Sequence, residues 1–301
     1  MNDVHKIFIG GTGRCGTNLL KDVLVTDENA CGLPFESRIS TDPFGLYESA
    51  LRLGSSCSPF VESQVVTDLF RFLRAAGQEQ AVFNGGYYDW ELSEHFSYYY
   101  ESVDDLESKL IVGSYEATWP IDSEHKRRYV LSDDAGHLIM KFTQTLFDQY
   151  AVDRSRNVYV DDNTYNICYS DLITEHMSNC HLIHMVRDPR DVVASLMGQR
   201  WMPDDIDAAC SVYLKFARQF LMASEGNNDG KVLRIRLEDL CTRPSDVYRD
   251  ISSFCGINFK PKPFDFGYAN SGRWKRDCSK ADQLKLTSRL ASVLRTLNYN
   301  F

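Results

Sequence analysis

Lys6-Ile-Phe-Ile-Gly-Gly-Thr-Gly-Arg-Cys-Gly-Thr-Asn-Leu-Leu20 reads as an apolar strand, a glycine-dense turn and the opening of an apolar helix. Glycine at positions 10, 11, 13 and 16 lets the backbone take positive φ and approach a ligand closely, and a helix beginning near Thr17 aims its free N–H groups and positive dipole end at the turn. That order builds an anion cradle, and Gly13, Arg14, Cys15, Gly16, Thr17 and Asn18 would line it. A tight strand-to-helix turn that holds no ligand uses the same ingredients. Gly11 and Gly16 have the spacing of a nucleoside-triphosphatase loop, but Thr17 stands where that loop has its lysine and Asn18 where it has a magnesium-binding hydroxyl. A triphosphatase is therefore disfavoured. The cation of this loop is Arg14, whose forked guanidinium suits the oxygens of a transferred group.

Working outward, apolar runs with strand character occur at 6–9, 157–160, 181–186 and 232–235, each followed by helical periodicity. Helices are expected at 17–25, 61–75, 134–150, 190–199, 206–223 and 281–297. Strands alternating with helices imply an α/β fold: a P-loop-like central parallel sheet flanked by helices. With no repeat, low-complexity block or long linker, residues 1–301 are expected to form one domain. From about residue 39 to 129 the sequence turns irregular and aromatic, with Tyr87, Tyr88, Trp90 and Tyr98 to Tyr100, and is expected to wall the acceptor side.

A 301-residue chain with 43% hydrophobic and 25% charged residues can bury a sizeable core. Its net charge of −9 argues against broad affinity for nucleic acid or an anionic membrane, so any anion site must be local. The opening MNDVHKIFIGG has neither a secretory apolar region nor a cleavage pattern, and eighteen consecutive apolar residues occur nowhere, so a cytoplasmic protein without membrane insertion is expected. The nine cysteines are scattered and never in C-x-x-C spacing, so neither a disulfide framework nor zinc is indicated. His181 and His184 form an H-x-x-H, but a separation of three within a strand sends the side chains to opposite faces.

A second strand-to-helix junction reads His181-Leu-Ile-His-Met-Val-Arg-Asp-Pro-Arg-Asp-Val-Val-Ala-Ser195. Arg187 closes the strand, Asp188 is a suitable N-cap, Pro189 suits the first helical turn and Ser195 falls about two turns after Arg187. Arg187 and Ser195 are placed to clamp one phosphate. A capped helix with solvated Arg190 and Asp191 fits the same residues.

Together the two junctions resemble the family of sulfotransferases that use 3′-phosphoadenosine 5′-phosphosulfate (PAPS), in bacterial form and nearest in motif to tyrosylprotein sulfotransferases. In that family a P-R-S-G-T-T loop holds the 5′-phosphosulfate and an R-D-P-R…S segment the 3′-phosphate, matched by residues 13–18 and 187–195. Weaker echoes are Asn163-Thr-Tyr-Asn166 for K-T-P-x-N, Arg236-Leu-Glu-Asp-Leu240 for Y-E-D-L and Ser271-Gly-Arg-Trp-Lys275 for G-R-W. Cys15, Asn18, Asn163 and Leu237 depart from the family's serine, threonine, lysine and tyrosine, and Arg38 or Lys275 is a candidate to supply the cation missing at 163.

The resemblance implies sulfuryl transfer from PAPS to a hydroxyl acceptor (tyrosyl, phenol, sugar or other alcohol), leaving 3′-phosphoadenosine 5′-phosphate (PAP). A sulfuryl group carries less charge than a terminal phosphoryl group, so side-chain cations could stand in for the metal that phosphoryl transfer uses, and no metal is expected. Gly32-Leu-Pro-Phe-Glu-Ser-Arg38 resembles the G-E-E-T-R stretch of tyrosylprotein sulfotransferases, which implies Glu36 as the base beside Arg14; a glutamate paired with Arg38 is the bland alternative. His95, His125 and His137 are the alternative bases. Arg273 and Lys275 are expected to close over the nucleotide. Asp161 and Asp162 end a strand and could hold magnesium, which keeps a kinase-like phosphotransferase as the runner-up, beside a non-catalytic nucleotide-binding protein. The sequence leaves the acceptor undetermined and admits a homodimer.

Overall fold

A computed structural model describes residues 4–36, 38–55, 58–83, 86–116, 126–130, 134–225, 231–267, 269 and 271–301. In chain order the elements are β1 (His5–Gly10), α1 (Thr17–Leu24), β2 (Ala30–Cys31), α2 (Leu46–Ser55), α3 (Pro59–Ala76), β3 (Ala81–Phe83), β4 (Gly86–Tyr88), α4 (Leu92–His95), α5 (Tyr99–Leu110), β5 (Ile111–Glu116), β6 (Lys126–Val130), α6 (Ala135–Asp153) and β7 (Val158–Asp161). A 3-10 turn (Thr164–Tyr169) follows, then α7 (Ser170–His176), β8 (Cys180–Val186), α8 (Pro189–Leu196), α9 (Ile206–Glu225), β9 (Val232–Arg236), α10 (Leu237–Thr242), α11 (Pro244–Cys255), α12 (Arg273–Asp277), α13 (Lys280–Arg289) and α14 (Ala291–Thr296).

Five strands form one parallel sheet in the order β2-β7-β1-β8-β9, flanked by helices, the α/β architecture that the alternation implies. The apolar runs of β1, β7 and β8 are buried almost throughout, as expected for strands covered on both faces. Two antiparallel pairs, β3–β4 and β5–β6, stand apart from the sheet. Among the described residues no helix is long and apolar enough to cross a membrane.

By internal packing the chain divides into two units. One comprises Met1–Lys6, Cys31–Tyr159 and Leu172–Cys180. Its core is aromatic: Phe72, Tyr88, Trp90, Phe96 and Tyr99 are all buried, with Tyr88 4.8 Å from Trp90 and 5.4 Å from Phe72 between ring centroids, in the edge-on geometry aromatic quadrupoles prefer. Within the stretch expected to be irregular, α3 is the helix expected at 61–75, and among the described residues α2, α5 and the antiparallel pairs add regular structure that was not expected; these aromatic rings are spent on packing. Of the tyrosine run, Tyr98 is three-quarters exposed. Lys6, wholly buried, is neutralised by Asp148 at 2.8 Å and donates to Val4 O.

The other unit comprises Ile7–Ala30, Val160–Asp171 and His181–Phe301. Leu19, Leu20, Val23 and Leu24 bury one face of α1, at about 1.5–3 kcal/mol of apolar transfer each. A second cluster (Val192, Val193, Leu196, Tyr213, Trp274, Leu290 and Leu294 among its members) seats α8 between α9 and the C-terminal helices. The single helix expected at 281–297 is two, because the turn breaks at Leu290 before α14 begins.

Candidate functional site

The glycine loop lies in the second unit with the geometry its sequence calls for. Gly13, Arg14 and Gly16 have φ of 75°, 54° and 98°. The left-handed value is free for glycine but strained for arginine, and backbone strain of this kind is held where the surroundings demand it. Three left-handed residues within four turn the chain sharply into α1. Gly16 caps that helix with no side-chain hydrogen bond, so the first-turn N–H groups are not claimed by a cap.

Close packing fixes the loop's depth. A Cβ on Gly10 would lie 2.9 Å from Thr164 O and Ile167 N, and one on Gly16 would lie 2.7 Å from Leu237 Cδ1. Leu237, which stands where the resemblance has a tyrosine, therefore packs against the loop. Gly11 N donates to Thr164 O at 2.9 Å. Cys15 is wholly buried and its thiol is pushed up to about 11 by burial, so the side chain of this expected cradle residue is a packed, neutral thiol. Thr17 is buried with its hydroxyl 3.2 Å from Asn18 Oδ1, while Arg14 and Asn18 are exposed.

The second junction comes directly to the first. Arg14 Nε donates to Ser195 Oγ at 3.1 Å and Arg187 Nη1 donates to Arg14 O at 3.0 Å, across 181 and 173 residues of sequence. Arg187 and Ser195 are both buried, so the site joins an exposed guanidinium, a buried one, a hydroxyl and the N-terminus of α1. Cations and oriented N–H groups in that combination suit a multiply charged anion.

Arg190 and Asp191 are buried rather than solvated, for separate reasons. Arg190 grips the N-cap residue Asp188 through two bonds of 2.9 and 2.7 Å, donates to Asn300 O and lies 4.1 Å above the Trp274 ring. Asp191 accepts from Gly272 N at 2.7 Å and Trp274 N at 2.9 Å and lies 3.8 Å from Arg187. The Gly-Arg-Trp segment is thus docked on the second junction by Asp191, a role that no spacing in the sequence discloses. Of the two residues expected to close over the nucleotide, Arg273 pairs with Asp277 and Lys275 is exposed, 5.3 Å from the Trp274 ring. Glu238 of the Arg-Leu-Glu-Asp-Leu segment accepts from Asp188 N at 2.9 Å and from Tyr299 OH at 2.8 Å.

Behind the loop lies a buried polar cluster. Lys21 Nζ meets Asp162 Oδ1 at 2.8 Å, and Asp161 Oδ2 accepts from Asn166 Nδ2 at 2.7 Å. Burial, then the neighbouring Asp162, pushes the Asp161 carboxyl up to about 7. The two carboxylates read as a candidate magnesium site thus have an ammonium and an amide as partners. Asn163 caps the 3-10 turn by accepting from Tyr165 N, which gives a reason for a polar, uncharged side chain there.

Glu36 lies in the first unit and is half-buried. Arg38 forms an ion pair with Asp42 at 3.4 Å and lies 6.0 Å from the Trp90 ring, so an acid other than Glu36 takes its described salt bridge. Of the alternative bases, His95 packs edge-on to Phe35 at 5.1 Å and is lowered by burial and by Arg154; His137 faces His176, Nδ1 to Nδ1 at 3.4 Å; His125 lies outside the described residues. His184 is buried neutral, its pKa lowered to about 3 by desolvation and then Arg234, while the His181 ring meets Phe254.

Residues 6–261 match the model of the sulfotransferase family. No curated protein matches the chain. Among solved structures it is similar to a sulfotransferase domain from the curacin biosynthetic pathway, at 16% identity and a TM-score of 0.49, covering 100% of this chain and 99% of that one. It is also similar to the sulfotransferase domain of the Synechococcus PCC 7002 olefin synthase (17%, TM-score 0.45, 100% and 97%) and to sulfotransferase STF1 from Mycobacterium tuberculosis H37Rv (15%, TM-score 0.46, 96% and 77%).

Proposed function

The chain belongs to the sulfotransferase family, and on that premise we propose that residues 1–301 form one domain that transfers the sulfuryl group of PAPS to a hydroxyl acceptor. The observation that carries the reading is the meeting of the two junctions through Arg14, Ser195 and Arg187. A nucleotide bearing phosphate at both its 3′ and 5′ ends needs two anion sites close together, and two strand-to-helix turns in contact supply them.

PAPS would bring the sulfuryl group. The amides of residues 13–17, with Thr17 and Asn18, would hold the 5′-phosphate. Exposed Arg14 is suited to balance charge on the departing oxygens, and its bond to Ser195 aims it. Buried Arg187 and Ser195 would hold the 3′-phosphate, and burial strengthens such a contact. Glu36 takes the acceptor's hydroxyl proton in this reading. Arg273 and Lys275 come from the segment that Asp191 docks on the second junction, which supports their closing over the nucleotide. The acceptor is a tyrosyl, phenolic, sugar or other alcohol hydroxyl. We take the protein to be cytoplasmic.

Transfer of labelled sulfate from PAPS to a panel of peptides, glycans and phenols, run without magnesium, tests the reading. Glu36→Ala should abolish transfer while PAP affinity stays within about twofold. Transfer that persists in Glu36→Ala removes Glu36 from the mechanism, and PAP binding that requires magnesium contradicts the donor assignment.

A further inference from the structure

Asp161 closes β7, and the 3-10 turn that follows sits against the entrance to the glycine loop. Asn166, wholly buried, uses both amide hydrogens at once: Nδ2 donates to Asp161 Oδ2 at 2.7 Å and to Ile9 O at 3.2 Å. Ile9 immediately precedes Gly10 and Gly11. Both partners are acceptors, so the amide has one workable orientation; flipped, its oxygen would face two oxygens. In that orientation Asn166 Oδ1 is buried with no partner among the described residues.

Asp161 Oδ2 also accepts from Asn163 N at 3.3 Å, so one carboxylate oxygen fixes both the turn's cap residue and Asn166. The turn in turn fixes the loop: Thr164 O receives Gly11 N, and there is no room for a Cβ on Gly10 between the two segments. Lys21, on α1 one helical turn beyond Thr17, reaches back to Asp162 and ties the far end of the loop to the same strand end.

We propose that Asp161, acting through Asn166, is a positioning residue that sets the glycine loop in its anion-binding shape. The inference rests on the functional reading above only for the ligand. Asp161 supplies one acceptor oxygen in one fixed place, and neither its charge nor a proton is needed.

The experiment compares Asp161→Asn, Asp161→Ala and Asn166→Ala with the wild type, each measured well below its own Tm. Amide hydrogen exchange of the peptide spanning residues 7–18 reads the loop without ligand, and calorimetric titration with PAP reads its binding. Asp161→Asn keeps an acceptor oxygen and should leave loop exchange and PAP affinity within about twofold of wild type. Asp161→Ala and Asn166→Ala should speed exchange in residues 10–16 selectively and weaken PAP about tenfold, the scale of one lost buried hydrogen bond. Alanine variants that lower Tm but keep native loop exchange would overturn the proposal, as would Asp161→Asn behaving like Asp161→Ala. A wild type that does not bind PAP while the exchange pattern holds would sink the donor assignment and leave the positioning role standing.

Discussion

Gly11→Ala should be the most damaging small substitution in the loop. A Cβ there would press into the carbonyl oxygen of Met185 and lie 2.5 Å from Cys15 Sγ. Met185 belongs to β8, paired in parallel register with Ile235 of β9, so its oxygen cannot retreat without disturbing the ladder. Forcing extra volume against fixed backbone costs about 1–3 kcal/mol, and the upper end applies where the neighbour is main chain. Gly13→Ala is the matched control: the nearest atom to its Cβ is Thr164 Cγ2 at 3.9 Å, so its cost is that of a left-handed φ of 75°, about 1–2 kcal/mol. Urea unfolding of the two variants, compared at equal slope, should rank Gly11→Ala as the less stable. The double variant Gly11→Ala/Cys15→Ala should recover only part of the loss, since removing the thiol leaves the Met185 oxygen in place. Gly13→Ala proving the more harmful, or Gly11→Ala falling within about 0.5 kcal/mol of wild type, would refute the packing described for this loop.

Three further outcomes follow from buried groups. Asp161 titrates higher when folded than the ordinary carboxylate value of 3.8, so its contribution to stability is whole below about pH 4 and is lost as pH rises through about 7; Asp161→Asn should therefore gain stability relative to wild type across that window, and a gap constant with pH contradicts the assignment. His184, lowered to about 3, acts oppositely: its contribution is present above about pH 6.5 and fades on acidification, so His184→Gln should flatten the acid limb of the stability curve. Asp191→Ala strips the acceptor from two backbone N–H groups and should cost roughly 2–4 kcal/mol in chemical denaturation, with Asp191→Asn milder because one acceptor oxygen survives.

Much of this was legible in the chain because the signals were local. The strand-glycine-helix order around Gly13 and the Asp188-Pro189 start of α8 each carry their own chemistry, and both junctions formed as read. The aromatic stretch misled because its rings mask helical spacing; in α5, Val103, Leu106 and Leu110 repeat at intervals of three and four and are buried, a pattern hidden behind the tyrosines at its start. The two-residue strand β2 is too short to have a period. The contacts of Asp191, Asn166 and Lys21 were not legible for another reason: each has its meaning in a partner 81, 157 or 141 residues away, which spacing cannot disclose.

The most direct trial of the two-ended grip is a magnesium-free titration of wild type and Arg187→Ala with PAP and with adenosine 5′-phosphosulfate, which lacks the 3′-phosphate. A charged hydrogen bond of about 1.5–3 kcal/mol corresponds to roughly ten- to a hundredfold in affinity. Arg187→Ala should therefore lose at least about tenfold more affinity for PAP than for the 5′-phosphosulfate. Equal losses for the two ligands would mean that residue 187 does not read the 3′ end, and the single-nucleotide account of the joined junctions would fail.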